Sequence, residues 1–205
     1  ISLAYVSSSI DKEKFHVVVI DLFGEDPNNC NEKNNFAYLG KKINNVNLNI
    51  FEQSDYFIIF ANQVINHDAI METAEFLKKK FPNKPLIAIE NTQAVTDYSL
   101  RKMKKNYLDN NFDYLLIGET ENKIDFFLDN IDNVENLKKI KGLIGKNFEN
   151  LEYDVIEDID KIKIPDWERF PINNYWSLNH SHGPLSSKKY LPILTSRGCP
   201  YPCGF

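Results

Sequence analysis

Two cysteines close to the end of the chain, Cys199 and Cys203, are separated by three residues in Thr195-Ser-Arg-Gly-Cys-Pro-Tyr-Pro-Cys-Gly-Phe205. Pro200 and Pro202 stiffen the loop that carries them. Thiolates held this near each other can ligate one metal centre. Iron-sulfur clusters are bound by Cys thiolates, and a cluster with three protein cysteines leaves one iron open to a small-molecule ligand. Taken alone, the bare spacing is more often that of zinc ligands, a disulfide or two ordinary thiols than of a cluster. The third cysteine of the chain, Cys30, stands alone, and three thiols so unevenly placed do not make a secreted disulfide framework. Metal ligation is the better use for the close pair.

The elements that must position this loop fall into two regions. Residues 1 to about 150 alternate between short apolar runs and longer amphipathic stretches, the pattern of a parallel sheet covered by helices on both faces. Strands are predicted at 16–21, 55–61, 85–90 and 113–118. Runs such as Val17-Val-Val-Ile20 and Tyr56-Phe-Ile-Ile-Phe60 are almost continuously apolar, as expected where both faces of a strand are buried. Ile70, Ala74, Leu77 and Phe81 recur at helical spacing, and Pro82-Asn83 ends that helix. Further helices are predicted at 3–10, 96–108 and 119–131. Because a βαβ unit needs a strand before its helix, a first strand is expected ahead of residue 1. From about residue 150 the alternation stops, and 162–187 is rich in Pro, aromatic and polar residues, a connector. A last apolar strand, 190–195, then leads into the cysteine loop.

Open parallel sheets bind ligands outside the carboxyl ends of their strands, which directs attention to the loops that begin at Asp21, Ala61, Glu90 and Gly118. Gly118-Glu-Thr-Glu121 is the most informative of them. Its glycine lets the backbone turn from strand to helix close to a ligand, and Glu119 and Glu121 would favour the dipole of the helix that follows. A capped helix start with no ligand explains the same residues. Asn62-Gln-Val-Ile65 follows another strand and offers polar groups, as a solvent-facing loop also would. Asp21 is placed as the ribose-binding acid of nicotinamide folds is, but no Gly-x-Gly-x-x-Gly occurs to accompany it. His67 reads as a helix-start residue, and His180 and His182 as surface residues of the connector.

The order Asp113-Tyr-Leu-Leu-Ile-Gly-Glu-Thr-Glu121, Ile140-Lys-Gly-Leu143, Ile164-Pro-Asp166 and Ser196-Arg-Gly-Cys199 resembles the cobalamin-binding radical S-adenosylmethionine enzymes over essentially the whole chain. The resemblance implies a doubly wound α/β fold: a Rossmann-like cobalamin-binding domain over 1–145, a connector over 146–188, and over 189–205 the start of a truncated radical (β/α) barrel. In that family cysteines spaced three and then two apart hold a 4Fe-4S cluster, with an aromatic just before the third. By resemblance Cys199 and Cys203 are cluster ligands, Phe205 lies near the adenine of S-adenosylmethionine, and a third cysteine is expected directly after Phe205. The open iron chelates S-adenosylmethionine, and the reduced cluster cleaves it to a 5'-deoxyadenosyl radical that attacks a substrate carbon, for methylation or ring-forming chemistry. An electron donor such as flavodoxin or ferredoxin is implied as partner, with a small-molecule substrate. Cobalamin contacts would come from Asn62, Gln63, Asn91, Thr92, Gly118, Glu119 and Glu121. Two departures stand out. Glu90-Asn-Thr-Gln93 replaces the small residues usual after that strand, and no Asp-x-His-x-x-Gly motif is present to supply an axial histidine. The rivals are a ligand-binding module without radical chemistry and a radical enzyme whose first domain has lost cobalamin.

The bulk numbers narrow the setting. A chain of 205 residues with 42% hydrophobic content can bury one good core and the beginning of a second. With 24 basic against 29 acidic side chains, scattered along the chain, nothing draws it to nucleic acid. No apolar run approaches the roughly 18 residues of a membrane span, and the start lacks the pattern of a signal peptide, so the expected location is cytoplasmic without membrane contact.

Overall fold

A computed structural model describes residues 1–33, 36–90, 100–152, 154–179 and 187–198. In chain order the helices are α1 (Ser2–Ser9), α2 (Leu22–Glu25), α3 (Leu48–Gln53), α4 (His67–Lys80), α5 (Leu100–Asp109), α6 (Ile124–Asp129), α7 (Val134–Leu137) and α8 (Ile172–Ser177). The strands are β1 (Cys30–Lys33), β2 (Phe36–Leu39), β3 (Phe57–Ala61), β4 (Leu86–Glu90), β5 (Tyr114–Leu116), β6 (Leu143–Gly145) and β7 (Phe148–Glu149). β1 and β2 form an antiparallel pair of their own, and the remaining five make one mixed sheet in the order β3-β4-β5-β6-β7.

The centre of this sheet follows from the sequence pattern. In β4, Leu86, Ile87, Ala88 and Ile89 are all fully buried. Leu86 and Ala88 face a cluster with Phe51, Ile70, Ala74, Leu77, Leu100 and Tyr107, from α3, α4 and α5. Ile87 and Ile89 face a second cluster with Val6, Ile10, Ile124, Phe127 and Leu137, brought by α1, α6 and α7. A strand whose successive side chains alternate between two dry faces has no polar position, which is why its sequence is uniformly apolar. α4 buries Ile70, Ala74 and Leu77 as one stripe and ends at Phe81, just before Pro82-Asn83. Helices thus cover both faces of the sheet, and β3, β4 and β5 run parallel.

Beyond β5 the sheet changes direction, which the alternation pattern did not anticipate. β6 pairs with β5 antiparallel, and β7 with β6 likewise. The reversal turns on Gly142, whose φ of +77° is left-handed, and a Cβ there would stand 2.5 Å from the carbonyl oxygen of Ile117. The Ile117 N–H donates to the Gly142 carbonyl at 2.8 Å, closing the corner. Glycine is required on both conformational and steric grounds.

Two predicted strands do not form among the described residues. The 16–21 segment joins no strand ladder: Val17 packs into one core cluster, Ile20 into the other, and Val18 remains 48% exposed. The Val17 carbonyl instead accepts from the Arg169 guanidinium. The 190–195 segment likewise joins no ladder, with Ile193 63% exposed. The predicted helix at 119–131 begins only at Ile124, so Glu119 and Glu121 precede it instead of occupying its first turn. The 96–108 helix is present as α5 from Leu100, its first predicted residues lying outside those described.

The connector lies on the α/β unit through specific ties. Asp166, in Ile164-Pro-Asp166, donates its N–H to the Ala4 carbonyl at 3.0 Å, and its carboxylate meets Arg169 Nε at 2.6 Å and Lys12 Nζ at 3.0 Å. Burial alone would raise the Asp166 pKa, but the Arg169 and Lys12 bonds outweigh it and hold the carboxyl below its ordinary value. In α8, Tyr175 donates to Asp21 Oδ2 at 2.6 Å and Asn174 Nδ2 to the Gly24 carbonyl at 2.9 Å.

Candidate functional site

The site grows from the carboxyl end of β5. After Leu116 the chain passes through Ile117 to Gly118, whose φ of +76° turns it away from the strand direction. The Gly118 N–H donates to Glu90 Oε2 at 2.7 Å, while Glu90 Oε1 accepts the Leu100 N–H at 2.9 Å. One carboxylate at the end of β4 therefore fixes both the start of α5 and the turn after β5. This is a structural reason for a glutamate where the resemblance leads one to expect small residues.

Glu119 and Glu121 then converge on one partner. Arg197 Nη1 is 3.1 Å from Glu119 Oε1, and Arg197 Nη2 is 2.6 Å from Glu121 Oε1. All three side chains are nearly dry, with exposures of 9% for Arg197, 11% for Glu119 and 5% for Glu121. The guanidinium carbon also lies 5.6 Å from the centre of the Tyr5 ring. Glu119 Oε2 accepts the Ile156 N–H at 2.5 Å, so this carboxylate binds the connector as well. Burial works against the charge on Arg197, yet the hydrogen bonds and charges of Glu121 and Glu119 prevail and raise its pKa. A planar fork whose two arms meet two carboxylates is a task that arginine performs and lysine does not.

Behind the pair, Lys123 is buried and donates to the carbonyls of Ile117 at 2.9 Å and Lys141 at 3.1 Å. Its pKa is lowered, chiefly by burial, against the pull of Asp154, Glu119, Glu90 and Glu121. Tyr5 holds the approach to Arg197: its hydroxyl accepts the Leu194 N–H at 3.0 Å. Gly198, with φ of +77°, turns the backbone immediately after Arg197, and a Cβ there would meet nothing within 4 Å.

No protein-family model, curated protein or solved structure matches the chain. What can be said of the site rests on its own geometry.

Gly118, Glu119 and Glu121 are brought together with Arg197, two residues before Cys199. Cys199, Cys203 and Phe205 lie outside the described residues, as do Asn91, Thr92, His180 and His182. Among the described residues, no group of three or more His, Cys, Asp and Glu side chains is placed to hold a metal ion. Cys30 is a free, exposed thiol in β1. Asn62 and Gln63 follow the carboxyl end of β3; Asn62 Oδ1 accepts from the Gln63 N–H at 2.9 Å and Asn66 Nδ2 at 3.0 Å. Beside them Val64 and Ile65 are 55% and 80% exposed. His67 opens α4 with its ring 5.9 Å from that of Tyr107. Both Asp21 oxygens are engaged within the chain, Oδ1 by the Gly24 N–H and Oδ2 by Tyr175. No helix among the described residues is long and apolar enough to cross a membrane.

Sequence reasoning named Arg197 only as lead-in to the cysteines and missed Tyr5, Lys123 and the bridging role of Glu90. One compositional signal did point to Arg197. Only three of the 24 basic residues are arginines. Each ties distant parts of the chain: Arg101 to the Leu151 carbonyl, Arg169 to Asp166 and Val17, and Arg197 to Glu119 and Glu121. In a chain that otherwise uses lysine, an arginine marks a place where fork geometry matters.

Proposed function

We propose that the chain is the N-terminal part of a cobalamin-binding radical S-adenosylmethionine enzyme, with a Rossmann-like domain in front of the first segment of a radical barrel. The observation that carries the reading is the Cys199-Pro-Tyr-Pro-Cys203 spacing behind Ser196-Arg-Gly. It gains support from the ion pairs that tie Arg197 to the carboxyl end of β5, the edge at which open α/β sheets accept ligands. Cys199 and Cys203 would ligate a 4Fe-4S cluster, with a third thiolate from beyond Phe205, and Phe205 would pack near the adenine. When bound, the cluster supplies the electron that cleaves S-adenosylmethionine to a radical able to attack an unactivated carbon of a small-molecule substrate, the electron coming from a flavodoxin- or ferredoxin-like donor. The protein's own part would be to hold the cysteine loop through Arg197. The reading places the enzyme in the cytoplasm, without nucleic acid or membrane partners.

For cobalamin the fit is divided. Val64 and Ile65, exposed beside Asn62 and Gln63, suit the flat apolar face of a macrocycle. Gly118, Glu119 and Glu121 suit it less, because the Gly118 N–H and both carboxylates already have partners within the chain. That observation favours a second reading, a radical enzyme whose first domain no longer binds cobalamin. Anaerobic iron loading of the full-length protein tests the shared claim: the wild type takes up iron and Cys199→Ala does not. Equal iron in both would overturn it. Cobalt content of the purified protein separates the two readings.

A further inference from the structure

We propose that Glu119 and Glu121 act as a clamp on Arg197 that sets the position of the cysteine loop on the α/β unit; they are positioning residues, not contacts to a cofactor. The proposal rests on the radical-enzyme reading for its purpose but not for its geometry. Two independent observations converge on it. Both carboxylates reach one guanidinium, at 3.1 and 2.6 Å, and the side chains involved are about nine-tenths buried or more. The segment before Arg197 joins no strand ladder and is held by side chains instead, the Leu194 N–H on Tyr5 Oη at 3.0 Å and the Tyr190 carbonyl on Trp176 Nε1 at 2.7 Å. An approach that carries no sheet hydrogen bonds takes its place from the side chains that grip it, and the two carboxylates on Arg197 grip it nearest the cysteines.

The carboxylates are themselves anchored. Glu119 is fixed on its second oxygen by the Ile156 N–H, and the turn that presents both is fixed by Glu90 through Gly118. The clamp is therefore a braced arm of the sheet gripping the segment that leads into the cysteines. Buried ion pairs of this kind add little net stability but penalise alternative arrangements strongly, because any displacement leaves a dry charge unpaired. That property suits positioning better than it suits stabilisation.

Trypsin provides a test that needs no cluster, because it must draw the Arg197 side chain out of the clamp before it can cut the Arg197–Gly198 bond. Lys188 and Lys189, exposed in the same segment, serve as internal references. In Glu119→Gln/Glu121→Gln, cleavage after Arg197 is expected to rise by on the order of 10- to 100-fold, the factor that accompanies loss of a charge-assisted hydrogen bond. Cleavage at Lys188 and Lys189, and the melting temperature of the core, should change little. Equal Arg197 cleavage in variant and wild type would overturn the clamp, and so would acceleration at every site, which would mean general unfolding. The functional half is read in the full-length protein. The double variant should still take up iron but form 5'-deoxyadenosine at least about tenfold more slowly, and Arg197→Lys alone, which keeps the charge but not the fork, should also fall to less than about half of the wild-type rate. Normal turnover by a variant whose Arg197 is freely cleaved would show that the clamp exists but does not position the loop. A wild type without iron would overturn the radical reading, and the trypsin comparison would then decide the clamp by itself.

Discussion

Glu90→Gln removes one charge without changing shape, and the structure sets the cost. The two carboxylate oxygens accept different backbone N–H groups, Leu100 at 2.9 Å and Gly118 at 2.7 Å, and Leu100 is fully buried. A glutamine can satisfy only one of these donors with its oxygen and must turn its own NH2 toward the other. Loss of one hydrogen bond to a charged acceptor is worth about 1.5–3 kcal/mol, and the negative charge at the start of α5 contributes up to about 1 kcal/mol more. A total of about 1.5–4 kcal/mol corresponds to a fall of roughly 3–16 °C in melting temperature for a domain of this size. Thermal unfolding followed by circular dichroism measures it. A Glu90→Gln protein that melts within about 1 °C of wild type would refute the bridging role, and with it the explanation for a glutamate in this loop.

Other consequences are local. Lys84 Nζ donates to the carbonyls of Phe51, Glu52 and Ser54 at 2.8, 2.6 and 2.6 Å, closing the end of α3 while resting on the Phe81 ring. Lys84→Met keeps the apolar stem and should lower stability by about 1.5–3 kcal/mol, seen as a lower urea midpoint at unchanged slope. Asp113 is raised by burial but lowered overall by Lys146, Lys78 and the Leu86 N–H. Its folded pKa thus lies below the unfolded one, so its contribution is complete above about pH 4 and is lost as the pH falls further. Asp113→Asn should flatten the stability profile below about pH 4, as measured by urea unfolding across pH 2–6. Gly142→Ala forces a Cβ to 2.5 Å from the Ile117 carbonyl in a left-handed conformation. A loss of at least about 2 kcal/mol is expected in the same assay.

The parts of this fold that were legible in the sequence are those whose physics is local. The α4 stripe of Ile70, Ala74 and Leu77 shows because one helix face is buried, and β4 shows because both its faces are. The apolar runs at 16–21 and 190–195 misled because an apolar run does not by itself secure burial or pairing, and no residue of either run is buried. A strand also needs a free edge at the right distance, and Val18 and Ile193 are substantially exposed instead. β6 and β7 were missed because three and two residues are too short to display any period. At the site the cysteine spacing is local and visible, whereas the clamp joins residues 76 and 78 positions apart. Glu119 and Glu121 looked like a helix start because a helix does follow. Their actual partner could be seen only once the chain had folded back.

The central claim is that the cysteine loop belongs to an enzyme that cleaves S-adenosylmethionine by one-electron reduction. It is tested most directly by incubating the full-length, anaerobically iron-loaded protein with S-adenosylmethionine and a strong reductant, and measuring 5'-deoxyadenosine. The account predicts product in the wild type and none in Cys199→Ala or Cys203→Ala, while both variants keep the wild-type circular dichroism spectrum. Absence of 5'-deoxyadenosine from an iron-loaded wild type, or its undiminished formation in the cysteine variants, would contradict it.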